Sequence, residues 1–295
     1  MDKKRQQANR WKPILSMAFA NLDSWLRSPR TILMMIFMVG ICYLEAESYG
    51  QTLTHFHEAH WGELLHFCFS KGCNITITSV LFLITISEIP RQMNYQYQHI
   101  IRSNRTAWLN AQLVYCLGAV LFMQMVMVLF VGLFMLPFAS PGTGWTEPAL
   151  AAQGLLAEHE SILSLSIAET LSPAVANLLA QLPMIAFRMV MTSLILLMSL
   201  YGHGDWGVIA YVFILMADRI ILVEAFQGIV LPAYFSSWGS CVAMFHNHQW
   251  LTSLNEAGIL LAVLVGYTFV MGVLYLLMLR RIKRCDLIFD SGEKA

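Results

Sequence analysis

The sequence predicts an all-α membrane protein: six transmembrane helices, an N-terminal interfacial amphipathic helix, and a non-spanning outer segment before the last span. Three observations carry this. Of 295 residues, 57% are hydrophobic and only 12% charged, against about 25% charged in a soluble domain. Several apolar stretches approach the roughly 20 residues that a bilayer crossing needs. Lys and Arg are concentrated in alternate connections. Residues 1–295 read as a single transmembrane domain, with no internal repeat and no soluble domain. A net charge of zero argues against nucleic-acid binding, which needs a surplus of cations on one face.

The first twelve residues are polar and basic. They lack a short apolar core followed by a small-residue cleavage site, so no signal peptide is expected. Over 11–28 the apolar residues Trp11, Ile14, Leu15, Ala18, Phe19, Leu22, Trp25 and Leu26 recur at spacings of three and four, which predicts an amphipathic helix. Its terminal tryptophans and the basic Lys12, Arg27 and Arg30 suit the headgroup layer of the inner leaflet. Pro29 breaks it before the first span.

The predicted spans are 32–44, 75–89, 108–137, 178–201, 207–231 and 257–279. The first two are short and must borrow flanking residues; the third is long enough to tilt or protrude. Positive residues in short loops stay in the cytoplasm. Lys3, Lys4, Arg5, Arg10, Lys12, Arg27 and Arg30 precede the first span, Arg91, Arg102 and Arg105 join the second to the third, and Arg280, Arg281, Lys283, Arg284 and Lys294 follow the last. The opposite connections, within 47–74, 138–177 and 232–256, hold Lys71 as their sole Lys or Arg. Both termini are therefore expected inside. Segment 138–177 begins rich in Pro, Gly, Ala and Ser and turns helical through 155–171. Segment 232–256 carries Tyr234, Phe235, Trp238, Phe245 and Trp250 among polar residues, a composition that can enter the outer leaflet where protein covers its backbone.

Charged side chains inside spans are costly, about 2.5–3.5 kcal/mol each at mid-bilayer. The fourth span holds Arg188; the fifth holds Asp218, Arg219 and Glu224. Counted from the span ends, Arg188 is level with either acid, and an ion pair between adjacent helices is favoured over a substrate-binding or proton-relay role. In the first outer loop His55, His57, Glu58, His60, Glu63 and His66 invite a metal reading, which His246 and His248 could complete. Their spacing is not HExxH, so an amphipathic helix with His and Glu facing outward is favoured and no metal site is assigned. Cys42, Cys68, Cys73, Cys116, Cys241 and Cys285 form no CxxC pair and read mostly as packing residues; a Cys68–Cys73 disulfide is the less favoured alternative.

No GxxxxGK[ST] loop is present to cradle ATP, and no GxSxG or HExxH motif supplies a catalytic centre, so the chain itself is not expected to be an enzyme. Segment 91–102 is a short cytoplasmic element joined to two spans, which suits it to transmit movement. Tyr95, Tyr97, His99, Ile100 and Ile101 offer contact surface, and Glu88, Arg91, Arg102 and Arg105 offer charge.

The interfacial helix ending Arg27-Ser-Pro-Arg30, the cytoplasmic segment Glu88-Ile-Pro-Arg through Trp108, and the outer segment before the last span resemble the membrane (permease) subunit of type-2 ABC exporters. The likeness is to the small six-span kind of Gram-positive bacteria and runs over most of the chain. It implies a place in the bacterial cytoplasmic membrane, separate ATP-binding subunits carrying ATP and magnesium, and a second permease chain, identical or not. It further implies that the interfacial helix and segment 89–107 touch the ATPase, with Glu88, Arg91, Tyr95, His99 and Arg102 as coupling residues. No cofactor is expected in this chain, and the implied substrate is a drug-like, peptide or lipid-like molecule. The long segment 138–177 and the His-rich first outer loop depart from the family pattern and leave the substrate open. The alternatives are an intramembrane enzyme, or a passive peptide-immunity or sensor protein.

Overall fold

The computed structural model describes residues 2–53, 60, 63, 72–90, 105–137, 140, 142–146, 172–226 and 256–284. Among them are seven helices: α1 Asp2–Leu26, α2 Pro29–Leu53, α3 Gly72–Ile86, α4 Arg105–Met135, α5 Pro173–Leu200, α6 Gly204–Phe226 and α7 Glu256–Arg284. No strand occurs among the described residues; one isolated parallel bridge joins His60 and Ser140. The predicted helix at 155–171 and outer segment 232–256 lie outside the described residues, apart from Glu256.

The break at Pro29 is built by local chemistry. Proline fits the first helical position, where its missing N–H costs nothing. Ser28 precedes it as an N-cap, its Oγ accepting from the Thr31 backbone N–H at 3.2 Å, one of the otherwise orphaned donors of a helix start. The axes of 11–26 and 29–44 consequently differ by 65°. The amphipathic helix starts earlier than expected, at Asp2, and only one of its faces is free. Trp11, Leu15 and Phe19 are exposed, whereas Ile14, Met17, Ala18, Asn21 and Trp25 are buried. Ile14 and Met17 pack on Ala111, Leu22 lies over Gly118, and the Trp25 ring meets Phe122 edge-on with centroids 6.0 Å apart. So α1 runs along the first half of α4.

Behind this elbow, α2, α3, α6, α5 and α4 pack each against the next in a closed ring; α7 covers α5 and α4. Among the described residues, three helices are long and apolar enough to cross a membrane: 105–134, 173–200 and 263–283. A fourth is added if the bent pair α1–α2 is one broken span, and the apolar stretches 77–86 and 204–216 are shorter. Large apolar residues such as Met125, Leu129, Phe213 and Phe269 face outward, which water would penalise and lipid would not.

A tight turn joins α5 to α6. The Gly202 N–H donates to Ser199 O and the His203 N–H to Met198 O, each at 3.0 Å, the paired bonds of a Schellman motif. The motif needs a left-handed residue just past the cap, and Gly202 supplies it with φ +80°. Four residues after this turn ends, Gly207 meets α5 closely: a Cβ there would lie 2.8 Å from Ile195 Cα and 3.2 Å from Met198 Cβ. Small residues let helix backbones approach in this way. Gly207→Leu is accordingly expected to lower stability by about 1–3 kcal/mol, read as a fall in melting temperature in detergent. Gly40→Leu, at a position where a Cβ meets open space, is the control and is expected to change little; equal effects at the two positions would contradict the close approach.

Candidate functional site

The centre of the bundle is polar. Arg188, on the face of α5 turned toward α3 and α4, is fully buried. Its Nη1 donates to Gln124 Oε1 on α4 at 2.7 Å and its Nη2 to Thr78 Oγ1 on α3 at 3.1 Å. Thr192, one turn on, donates to the Arg188 carbonyl at 2.6 Å, and the Tyr211 hydroxyl of α6 donates to Ser79 O at 3.4 Å. Phe187 joins this layer to Tyr211 and to Tyr267 of α7, with ring centroids 6.3 and 6.5 Å apart. Every helix of the ring except α2 thus contributes a polar group. A guanidinium has only donors to offer, and a buried charge must find acceptors to remain charged. Donors still outnumber the bonds made: Gln124 Nε2 has no hydrogen-bond partner among the described residues, and neither do the buried hydroxyls of Ser79 and Ser193.

Arg188 is thus enclosed within the helix bundle, bonded to two neutral side chains. Asp218, Arg219 and Glu224 all lie in α6, but their side chains fall outside the described residues. Helix phase separates them. Asp218 follows Tyr211 by seven residues, about two turns at 3.6 residues per turn, which places it on the α6 face that Tyr211 and Leu215 bury in the core. Glu224, thirteen residues on from Tyr211, is rotated about 140° from that face. The positions of Gln124 and Thr78 were not singled out from sequence, although a lone Gln inside Leu-Phe-Met-Gln-Met-Val-Met was a usable signal.

A second polar cluster stitches together the basic end of the bundle. Arg30, in the first turn of α2, pairs with Glu88 just past α3 at 2.5 Å, both side chains about half exposed. Ser199, near the end of α5, donates to the Ile89 carbonyl at 2.8 Å. Arg105 at the start of α4 donates to the Ile282 carbonyl of α7 at 3.4 Å, and Tyr275 donates to Asn110 Oδ1 at 3.0 Å. Arg281 donates to the Leu200 carbonyl at 3.2 Å and lies over the Tyr201 ring, 4.6 Å from its centroid. The last contact sets a cation at the negative end of α5, where exposed carbonyls attract it. Of the expected coupling residues only Glu88 is among those described; Arg91, Tyr95, His99 and Arg102 lie outside them. Both ends of their segment, Ile89 and Arg105, are nevertheless held by other helices.

At the opposite end of the bundle, two connecting segments are clasped. Glu63 accepts from His60 N at 3.1 Å, from Thr146 N and from Thr146 Oγ1 at 3.0 Å. The His60 Nδ1–H donates to the Gly144 carbonyl at 2.6 Å. Glu63 is fully buried, which corrects the outward-facing Glu expected from the amphipathic pattern: three donors satisfy its carboxylate, so burial is tolerated. No cluster of three or more His, Cys, Asp or Glu capable of holding a metal occurs among the described residues. His55, His57, Glu58, His66, His246, His248 and Cys68 lie outside them. Compared with protein-family models, with curated proteins and with solved structures, the chain has no match in any of the three.

Proposed function

We propose that this chain is the membrane subunit of an ATP-driven exporter, forming the translocation path while separate ATP-binding subunits, with their ATP and magnesium, supply the energy. The observation that carries this reading is the stitching around segment 90–104. On one side of it Glu88 is paired with α2 and the Ile89 carbonyl is held by α5; on the other, Arg105 grips α7. A push on that segment therefore reaches α2, α5 and α7 together, as a coupling element requires. Segment 89–107, with Glu88, Arg91, Tyr95, His99 and Arg102, is assigned the contact with the motor.

Parity supports the six-span layout. Residues in contact at the ends of a bundle lie on one side of a bilayer, so an even number of crossings separates them. Glu63 and Thr146 bracket α3 and α4, Arg30 and Glu88 bracket α2 and α3, and Leu200 and Arg281 bracket α6 and α7. If α4 and α7 cross, as their length and apolarity suit them to, then α3, α2 and α6 cross as well, and α5 makes six. With 15 residues, α3 covers about 22 Å and needs a thinned bilayer or flanking residues to do so. In this layout the Arg-rich end is cytoplasmic, α1 lies at the inner leaflet, and a second permease chain, identical or not, completes the path in the bacterial membrane.

Extraction in mild detergent should yield a four-chain complex of two permease and two ATP-binding subunits that hydrolyses ATP. Tyr95→Ala with Arg102→Ala should leave hydrolysis in place and abolish transport. A chain that purifies alone under every gentle condition, or a double variant with transport and hydrolysis both unchanged, defeats the reading.

A further inference from the structure

Helix α5 carries more polarity than a structural helix needs, and it carries it in one line. Asn177, Gln181, Arg188 and Thr192 are all buried and Ser199 half-buried. At about 100° per residue these five fall within a sector of about 60°. From Asn177 to Ser199 the line rises about 33 Å, close to the roughly 30 Å hydrocarbon thickness of a bilayer. Buried polar groups in a membrane helix are expensive and mark function by default. The line also has capacity to spare: Gln181 Oε1, and Gln124 Nε2 beside the guanidinium, have no hydrogen-bond partner among the described residues. Away from Gln124 and Thr78, deformable apolar side chains flank it, including Met184, Met191 and Phe187 on α5 and Met123 and Met127 on α4, a lining that adapts to varied apolar shapes.

We propose that this stripe lines the translocation path and that Arg188 is its ligand site, taking the anionic head of an amphiphile, phosphate or carboxylate, while the methionine-rich walls take the apolar body. The proposal rests on the transport reading above and narrows its substrate class. Arg188 supplies the charge and a planar set of donors suited to such a head. Gln124 Nε2 adds a donor beside it, and Asn177, Gln181, Thr192 and Ser199 provide hydrogen-bonding steps toward either membrane face. The path is shut in this conformation, because α3 and α4 close over Arg188; loading requires α5 to part from them, which the grip of Ser199 on Ile89 is placed to control.

The test measures binding of dodecyl phosphate to the purified chain in nonionic detergent, with dodecylphosphocholine as the same chain bearing a zwitterionic head. Wild type should bind the phosphate amphiphile and ignore its phosphocholine counterpart. Arg188→Gln should weaken binding about tenfold to a hundredfold, the worth of one or two charge-assisted hydrogen bonds, Arg188→Lys should recover part of the loss, and Gln124→Leu should weaken binding more mildly. Competition by phosphatidic acid in nanodiscs assigns the natural head to a membrane lipid, and competition by inorganic phosphate assigns it to a soluble anion. Equal affinity for the two amphiphiles, or an Arg188→Gln protein that binds as wild type, overturns the site. If Arg188→Gln does not fold, unchanged affinity in both Arg188→Lys and Gln124→Leu overturns it instead. Binding needs no ATPase, so the two readings fail separately: a chain that binds without an ATP-binding partner loses the transport role and keeps the site, and the reverse outcome loses the site alone.

Discussion

Replacing Arg188 with Leu is expected to destabilise the detergent-solubilised protein by about 3–5 kcal/mol, the cost of removing one member of a buried charged network. The substitution deletes the donors to Gln124 Oε1 and Thr78 Oγ1 and leaves those acceptors enclosed, away from water and lipid alike. Gln124→Leu in the same chain removes one orphan and should restore part of the loss. Asp218→Leu is expected to restore more, because its position shares the helix phase of Tyr211, and a buried acid deprived of its cation is the costliest remnant. Glu224→Leu, on a different face, should simply add its own effect. Double-mutant cycles of melting temperature separate these cases. Additivity for Gln124 and Asp218 alike would falsify the buried network as a coupled unit, and coupling to Glu224 rather than Asp218 would reverse the helix-phase assignment.

Trp25→Ala should cost a similar amount, about 3–5 kcal/mol for emptying a buried indole site. Trp25 is fully enclosed and its Nε1 makes no hydrogen bond among the described residues, so the loss is one of packing against Phe122 rather than of a polar contact. Lipid cannot refill the hole, because α1, α2 and α4 surround it. Trp11 is 55% exposed on the same helix, and its replacement should stay within about 0.5 kcal/mol. Comparing the two melting temperatures decides whether α1 belongs to the bundle or merely floats on the membrane; two small, equal shifts would support floating.

The elements were legible in the sequence because each announces itself locally. The elbow is written in Pro29, the α5–α6 connection in the short gap between the apolar stretches 178–201 and 207–231, and the need of Arg188 for partners in its placement amid apolar residues. What sequence could not supply was the far side of each contact. Gln124 lies 64 residues from Arg188 and Thr78 lies 110 away, and periodicity along one helix says nothing of its neighbours. The same limit hid the two-faced nature of α1. Ile14, Met17 and Trp25 share the spacing of a stripe that could rest on lipid, and only the small Ala111 and Gly118 of α4 let a helix take that place. Glu63 was misjudged outward because its three donors come from the adjoining turn and from a segment 83 residues on.

The tight α5–α6 turn also bears on how the protein is made. Only Tyr201, Gly202 and His203 separate the two helices, too few to loop into solvent and return, so in the six-span layout proposed above α5 and α6 would enter the bilayer from the translocation machinery as one hairpin. That ordering suits Arg188. Alone, α5 would carry its guanidinium into lipid at about 2.5–3.5 kcal/mol before any later helix had arrived; as half of a hairpin it enters with the largely apolar α6 already beside it. A residue such as Gly207, which lets the two backbones close together, would then act during membrane insertion, ahead of any role in the finished protein.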